Sequence, residues 1–252
     1  MRKPKGYVVW QGPSEIDGKP IVLIMTGFQA SSKNQKTGAM IQTYILRSDI
    51  PPIEAMQSGE DVSICGDCPH KATENGTCYV RVDTGPNTVY RAFKRGSYTV
   101  PSMPSVTRLA MMGQTLRLGT YGDPCAIPFS VWENLLVHTI GHTGYTHQWK
   151  QERFSAFKVI CMASCDNLDE DSRAKGLGWR TFTIVPKDTR EYIPGALLCP
   201  ASEEAGKVLT CAQCLACGGT TSRNKASVFI PVHGVAFKVA RFANLIQIGR
   251  GL

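Results

Sequence analysis

The chain is 252 residues long, 42% hydrophobic and 19% charged, with a net charge of +8. Such a length supports one large domain or two small ones around a sizeable core, and the balance excludes the low-hydrophobicity, high-charge signature of disorder. The longest aliphatic run, Ile21 to Met25, is far short of the roughly 20 apolar residues of a membrane span. Behind the basic start Met1-Arg2-Lys3-Pro4-Lys5, the apolar stretch Tyr7 to Trp10 is shorter than a signal-peptide core. The expectation is a cytoplasmic protein without a membrane partner, and the positive charge favours anionic partners, nucleic acid among them.

In chain order, strands are predicted at Pro20–Met25 and Met40–Leu46, either side of a polar Ser/Lys/Asn/Gly loop. Thr115–Tyr121 reads as a strand, followed by Gly-Asp-Pro and an amphipathic helix over Pro128–Ile140. That helix would place Val131, Trp132, Leu135, Leu136 and Ile140 on one side, with Pro128 suited to a first turn. Further strands are expected at Phe157–Met162, Thr181–Val185 and Ser227–Ile230, and a helix at Asn167–Ala174. No repeat or linker is visible, so the chain reads as a single α/β domain over 1–252, with cysteine-rich insertions at about 60–80 and 199–219. Alternating β and α elements favour a parallel sheet with covering helices. In such sheets and barrels, ligands bind where the strands' carboxyl ends emerge. Asp123, His147, Asp166 and His233 each lie within a few positions of such an end.

Seven of the ten cysteines fall into two groups, Cys65, Cys68, Cys78 and Cys199, Cys211, Cys214, Cys217. In a reducing compartment, clustered thiols at short spacing point to metal rather than to disulfides. In the second group, Cys211-x-x-Cys214-x-x-Cys217 could wrap three thiolates around an iron–sulfur cluster, with Cys199-Pro200 supplying the fourth, or the four could enclose one tetrahedral zinc. The first group includes a neighbouring histidine. With His70 it would be a closed Cys3His zinc site; without it, a three-thiolate cluster keeps one iron open to a substrate or cofactor.

These features together resemble the radical S-adenosylmethionine enzymes, which are full or partial (β/α) barrels. The resemblance implies that Met40–Leu46 is the first barrel strand. Cys65, Cys68 and Cys78 would hold a [4Fe–4S] cluster whose open iron is chelated by the methionine part of S-adenosylmethionine. Thr120-Tyr121-Gly122-Asp123-Pro124 resembles the family's Gly-Gly-Glu-Pro-like segment, which implies that Gly122 and Asp123 bind the cofactor. Cys199, Cys211, Cys214 and Cys217 would hold the second cluster that many members carry. The implied chemistry is one-electron cleavage of the sulfonium, followed by hydrogen abstraction from a substrate whose partner residue the motifs do not name. The spacing here is C-x2-C-x9-C, whereas the family's usual spacing is C-x3-C-x2-C. The segment Arg117 to Pro124 and the overall pattern also resemble uncharacterised proteins of phages and mobile elements.

Other motifs point elsewhere. His138, His142 and His147 lie close together, but no H-E-x-x-H is present and Gly141 interrupts the spacing. No phosphate-binding glycine loop is present. Cys125, Cys161 and Cys165 read as packing thiols. The competing function class is a zinc-stabilised nucleic-acid-binding or accessory protein. Its support is the net charge, Arg91-Ala92-Phe93-Lys94-Arg95, and the aromatic–cation pairs Trp149-Lys150 and Arg153-Phe154.

Overall fold

The computed structural model describes residues 4–30, 34–187, 193–233 and 236–248. The chain opens with a hairpin, β1 (Gly6–Pro13) against β2 (Pro20–Thr26), and β2 pairs antiparallel with β3 (Ile41–Arg47). Residues 21–25 of β2 are fully buried. A strand apolar on both faces belongs in the middle of a covered sheet.

From β3 onward every described strand pairing is parallel. A long excursion through α1 (Pro52–Ser58), α2 (Val62–Cys65), α3 (Gly85–Lys94) and α4 (Pro104–Ala110) returns the chain to β4 (Thr115–Tyr121), beside β3. Helix α5 (Phe129–Leu136) leads to β5 (Gly141–Thr143), beside β4, and β6 (Tyr145–Thr146) comes at once after it. Next come β7 (Met162–Cys165), α6 (Leu168–Gly176), β8 (Thr181–Val185), β9 (Ala196–Leu198), α7 (Cys211–Cys214), β10 (Ser227–Pro231) and α8 (Ala236–Ile248). One sheet has the order β1-β2-β3-β4-β5 and is mixed; the other, β6-β7-β8-β10-β9, is all parallel. The fold is therefore mixed α/β with parallel-sheet character. No helix among the described residues is long and apolar enough to cross a membrane.

Gly144 joins the two sheets. Its N–H donates to the Cys217 carbonyl at 3.0 Å and its carbonyl accepts from Met162 N at 2.9 Å, so one stretch of chain pairs with β4 before it and with β7 after it. A Cβ there would lie 2.9 Å from Cys161 Sγ and 3.0 Å from Leu118 Cδ1, which leaves room only for glycine.

Side-chain alternation sorts the second sheet into two faces. Thr181 and Thr183 of β8 face α6, where both hydroxyls donate to Asp171, the Thr183 bond at 2.8 Å, while Lys175 pairs with the other carboxylate oxygen at 2.7 Å. Phe182 and Ile184, with Met162, Val228 and Ile230, pack instead against Cys199, Cys211 and Cys217.

Two expected elements are corrected. Phe157–Met162 is not a strand: 3-10 turns run over Glu152–Val159, and β7 begins only at Met162. Phe154 and Phe157, three apart, turn the same side inward, and Phe157 meets Phe129 edge-on at 5.1 Å between ring centroids. The helix expected to reach Ile140 stops at Leu136, and Ile140 is 67% exposed, because its N–H donates to Gln114 O as the chain turns into β5.

Replacing Asp171 with Ala strands two buried hydroxyls, and the expected cost is about 2–4 kcal/mol of unfolding free energy. Urea denaturation with an unchanged slope checks it; a loss below about 0.5 kcal/mol would show that the carboxylate does not hold α6 on β8.

Candidate metal centre

Arg47 closes β3 and anchors the segment that leaves it. Its buried guanidinium bonds Asp49 at 2.8 Å, Glu60 at 2.6 Å and the Ser63 hydroxyl at 3.3 Å, which fixes α2 with Cys65 as its last residue. Gly66 turns the chain at φ 59°; its carbonyl accepts from Lys71 Nζ at 2.8 Å and the Cys65 carbonyl accepts from Gln148 at 3.3 Å. The loop then folds back, with Cys78 N donating to His70 O at 2.9 Å. Cys65, Cys68 and Cys78 converge, all half-buried, near Asp61 and Asp123. Burial first, and then the neighbouring Cys68, push the Cys65 and Cys78 thiols above their ordinary range. A partner that stabilises thiolate, such as a metal, would draw their protons off.

The end of β4 meets this loop. Asp123 N donates to Ile64 O at 2.6 Å, and Gly122 sits at φ 86° where a Cβ would approach Ile45 Cβ to 2.7 Å. The Asp123 carboxylate accepts from Cys125 N at 3.0 Å, Thr146 Oγ1 at 3.0 Å and His147 N at 2.9 Å. Of the two residues expected to bind a cofactor, Gly122 therefore brings backbone to the loop, and Asp123 ties strand ends together.

Beside the cysteines lies a group that no sequence spacing announces. Asp166, directly after β7, faces His70 Nε2 at 2.9 Å through Oδ1 and His147 Nε2 at 3.4 Å through Oδ2. Against burial, which raises it, the two imidazoles hold the Asp166 carboxyl well below the usual range. His70 Nδ1 is 2.6 Å from Thr77 Oγ1, and Cys68 lies beside the His147 ring. Helix α8 packs over the loop: Phe242 stacks on His70 at 5.9 Å, and Lys238 Nζ donates to the Cys78 carbonyl. His233, the fourth strand-end residue, joins none of this; its Nδ1 faces its own strand's Pro231 O at 3.0 Å.

Cys199, Cys211, Cys214 and Cys217 form a second group, within electrostatic reach of one another. A capping box between Thr210 and Gln213 starts α7, whose first amides, Cys211 N and Ala212 N, donate to Lys36 O at 2.8 Å and Thr37 O at 3.1 Å. Burial raises Cys217 to about 12, opposed by a hydrogen bond from the Tyr145 hydroxyl. Arg117 lies between the groups: it donates to the Tyr79 hydroxyl at 3.0 Å, stands 5.6 Å from the Tyr145 ring, and feels the charges of Cys211 and Cys217. Tyr79, next to Cys78, was the available signal for this bridge.

The remaining candidates sit apart. His138 is exposed and His142 Nε2 faces Ile160 O at 3.0 Å, so the histidine stretch does not converge. Cys125, Cys161 and Cys165 are buried, Cys125 against Thr146 Oγ1 at 3.2 Å. Trp149 and Phe154 are 2% and 4% exposed, with Lys150, Arg173 and Arg153 over their rings, so neither can stack on a base. Comparison with protein-family models, with curated proteins and with solved structures finds no match.

Asp61 provides a pH-dependent check on the first loop. Burial raises its carboxyl from the ordinary 3.8 to about 6, and Oδ1 has no hydrogen-bond partner. Between those values the folded state keeps a proton that the unfolded chain has lost, so stability falls as pH rises and levels off above about 6. Asp61→Asn is expected to be more stable than the parent at pH 8, with the gap closing towards pH 4 in thermal unfolding. A gap independent of pH would sink this account.

Proposed function

We propose that this protein is an iron–sulfur protein in which Cys65, Cys68 and Cys78 hold a [4Fe–4S] cluster with one iron open, and Cys199, Cys211, Cys214 and Cys217 hold a second. The observation that carries the reading is the convergence of Cys65, Cys68 and Cys78 on the loop after β3, at the edge where Gly122, Asp123, His147 and Asp166 also arrive. In the first sheet β3, β4 and β5 lie side by side in chain order, and in the second β6, β7 and β8 do, with β10 next and β9 outside it. That is the order of a sheet wound in one direction, and the reading includes a partial (β/α) barrel with its ligands at the carboxyl edge.

The C-x2-C-x2-C run of Cys211, Cys214 and Cys217 favours a cluster over zinc. Sulfurs at about 2.3 Å from a tetrahedral zinc lie about 3.8 Å apart. Among the described residues, the three ligand atoms that close to within 4.8 Å of one another are those of His70, His147 and Asp166, and no three cysteine sulfurs do so. A cluster is the larger object that such thiols can surround.

An open-iron cluster with S-adenosylmethionine supplies one-electron chemistry at a carbon–sulfur bond. The chain's own contribution is positional. Gly122 brings backbone carbonyl and amide groups close to the cysteine loop, Asp123 holds the ends of β4 and β6 together, and α8 covers one side of the loop. Tyr145 donates to Cys217 and would favour its thiolate. A radical S-adenosylmethionine-like enzyme, of phage or mobile-element type, is the activity proposed.

Purification without oxygen, with iron and acid-labile sulfide analysis, tests the reading. About eight of each per chain are expected, with about half lost in Cys65→Ala and the other half in Cys214→Ala. One or two zinc ions and no sulfide would overturn it in favour of a zinc-stabilised nucleic-acid-binding or accessory protein.

A further inference from the structure

We propose that His70, His147 and Asp166 form a separate mononuclear site for a first-row divalent cation, with two imidazole nitrogens and one carboxylate oxygen as ligands and an open position towards Cys68. The three ligand atoms lie within 4.8 Å of one another. The side chains are 11%, 13% and 8% exposed. His147 Nε2 and Asp166 Oδ2 are both buried without a hydrogen-bond partner, and they face each other at 3.4 Å. A cation at about 2.1 Å from each would see them across an edge of about 3.4 Å, the edge of a tetrahedron of that radius. Leaving two such buried atoms unpaired is costly, and a cation between them removes that cost.

The surroundings suit the role. A cation would displace the proton that His70 Nε2 donates to Asp166 Oδ1 at 2.9 Å; with Thr77 Oγ1, 2.6 Å from Nδ1, accepting the proton that stays on the ring, the Nε2 lone pair then faces the metal. Asp166 N is itself held by Glu170 Oε2 at 3.0 Å, which fixes the carboxylate where β7 ends. Imidazole with one carboxylate selects Zn2+, Fe2+ or Co2+ over Mg2+ or Ca2+, which prefer oxygen alone. The site stands whether or not the cysteines hold clusters, because none of its three ligands is a thiol.

The test uses the full chain with Zn2+ and Co2+ as probes. Equilibrium dialysis should show one Zn2+ more in the parent than in Asp166→Asn or His70→Gln, with affinity at that site down at least about 100-fold, while iron and sulfide content are unchanged. Co2+ in this site should give visible bands without sulfur-to-cobalt charge transfer. Equal Zn2+ stoichiometry and affinity in the parent and both folded variants would overturn the proposal, leaving the His70–Asp166 hydrogen bond beside the His147 ring. Should Asp166→Asn not fold, His70→Gln and the parent's Co2+ spectrum decide: if all bound Co2+ shows thiolate charge transfer, the site does not exist. Failure of the cluster reading would appear separately, as missing sulfide.

Discussion

A buried carboxylate at the end of β4 organises the edge at which all the candidate chemistry collects. Asp123 is 7% exposed, and burial raises its carboxyl; Cys125 N, Thr146 Oγ1 and His147 N together offer three hydrogen bonds against that cost. Because one donor lies just past β4 and two come from the end of β6, the same group that solves its own desolvation also fixes the separation of two strand ends. His147 is held through its backbone, and its ring is then free to face Asp166. The Asp123 amide, through Ile64 O, carries the same constraint into the cysteine loop.

Arg47 does for the loop's start what Asp123 does for its far side. A nearly buried guanidinium satisfied by Asp49 and Glu60 determines where the chain leaves β3, and hence where Cys65 falls. Removing either carboxylate partner would leave cationic hydrogens in a poorly hydrated place, a penalty larger than the surface value of an ion pair. The cysteines are thus positioned by charges on ordered chain rather than only by their own spacing.

Much of this is legible in the sequence. Thr115–Tyr121 and Thr181–Val185 are strands to the residue, since β-branched and apolar residues there are bounded by Gly, Pro and polar punctuation. Phe157–Met162 misleads because a short apolar run carries no period long enough to separate a strand from turns of three residues. β5, β6 and β9, of two or three residues, are too short for any pattern. For the site, Asp123, His147 and Asp166 are visible as strand-end residues, and the cysteine groups as spacings. The pairing of His70 with Asp166 is not, because it joins residues 96 apart and only the strand order brings them together. Trp149 and Phe154 look like a stacking platform in sequence, and burial removes them from that role.

The two cysteine groups differ in how much chain each needs. Cys65, Cys68 and Cys78 are spanned by one loop whose internal bonds, from Cys68 N to Cys65 O and from Cys78 N to His70 O, are local. The other group is built from distant stretches: Cys211 N reaches back to Lys36 O, and Cys217 O receives Gly144 N. During synthesis from the N-terminus, the first loop can begin to close early, whereas the second waits until Lys36, Gly144 and Cys217 have all emerged and met. A ribosome-bound chain would therefore close the local turns of the first thiol loop before any of the second group's long-range bonds could form, giving maturation an order set by topology.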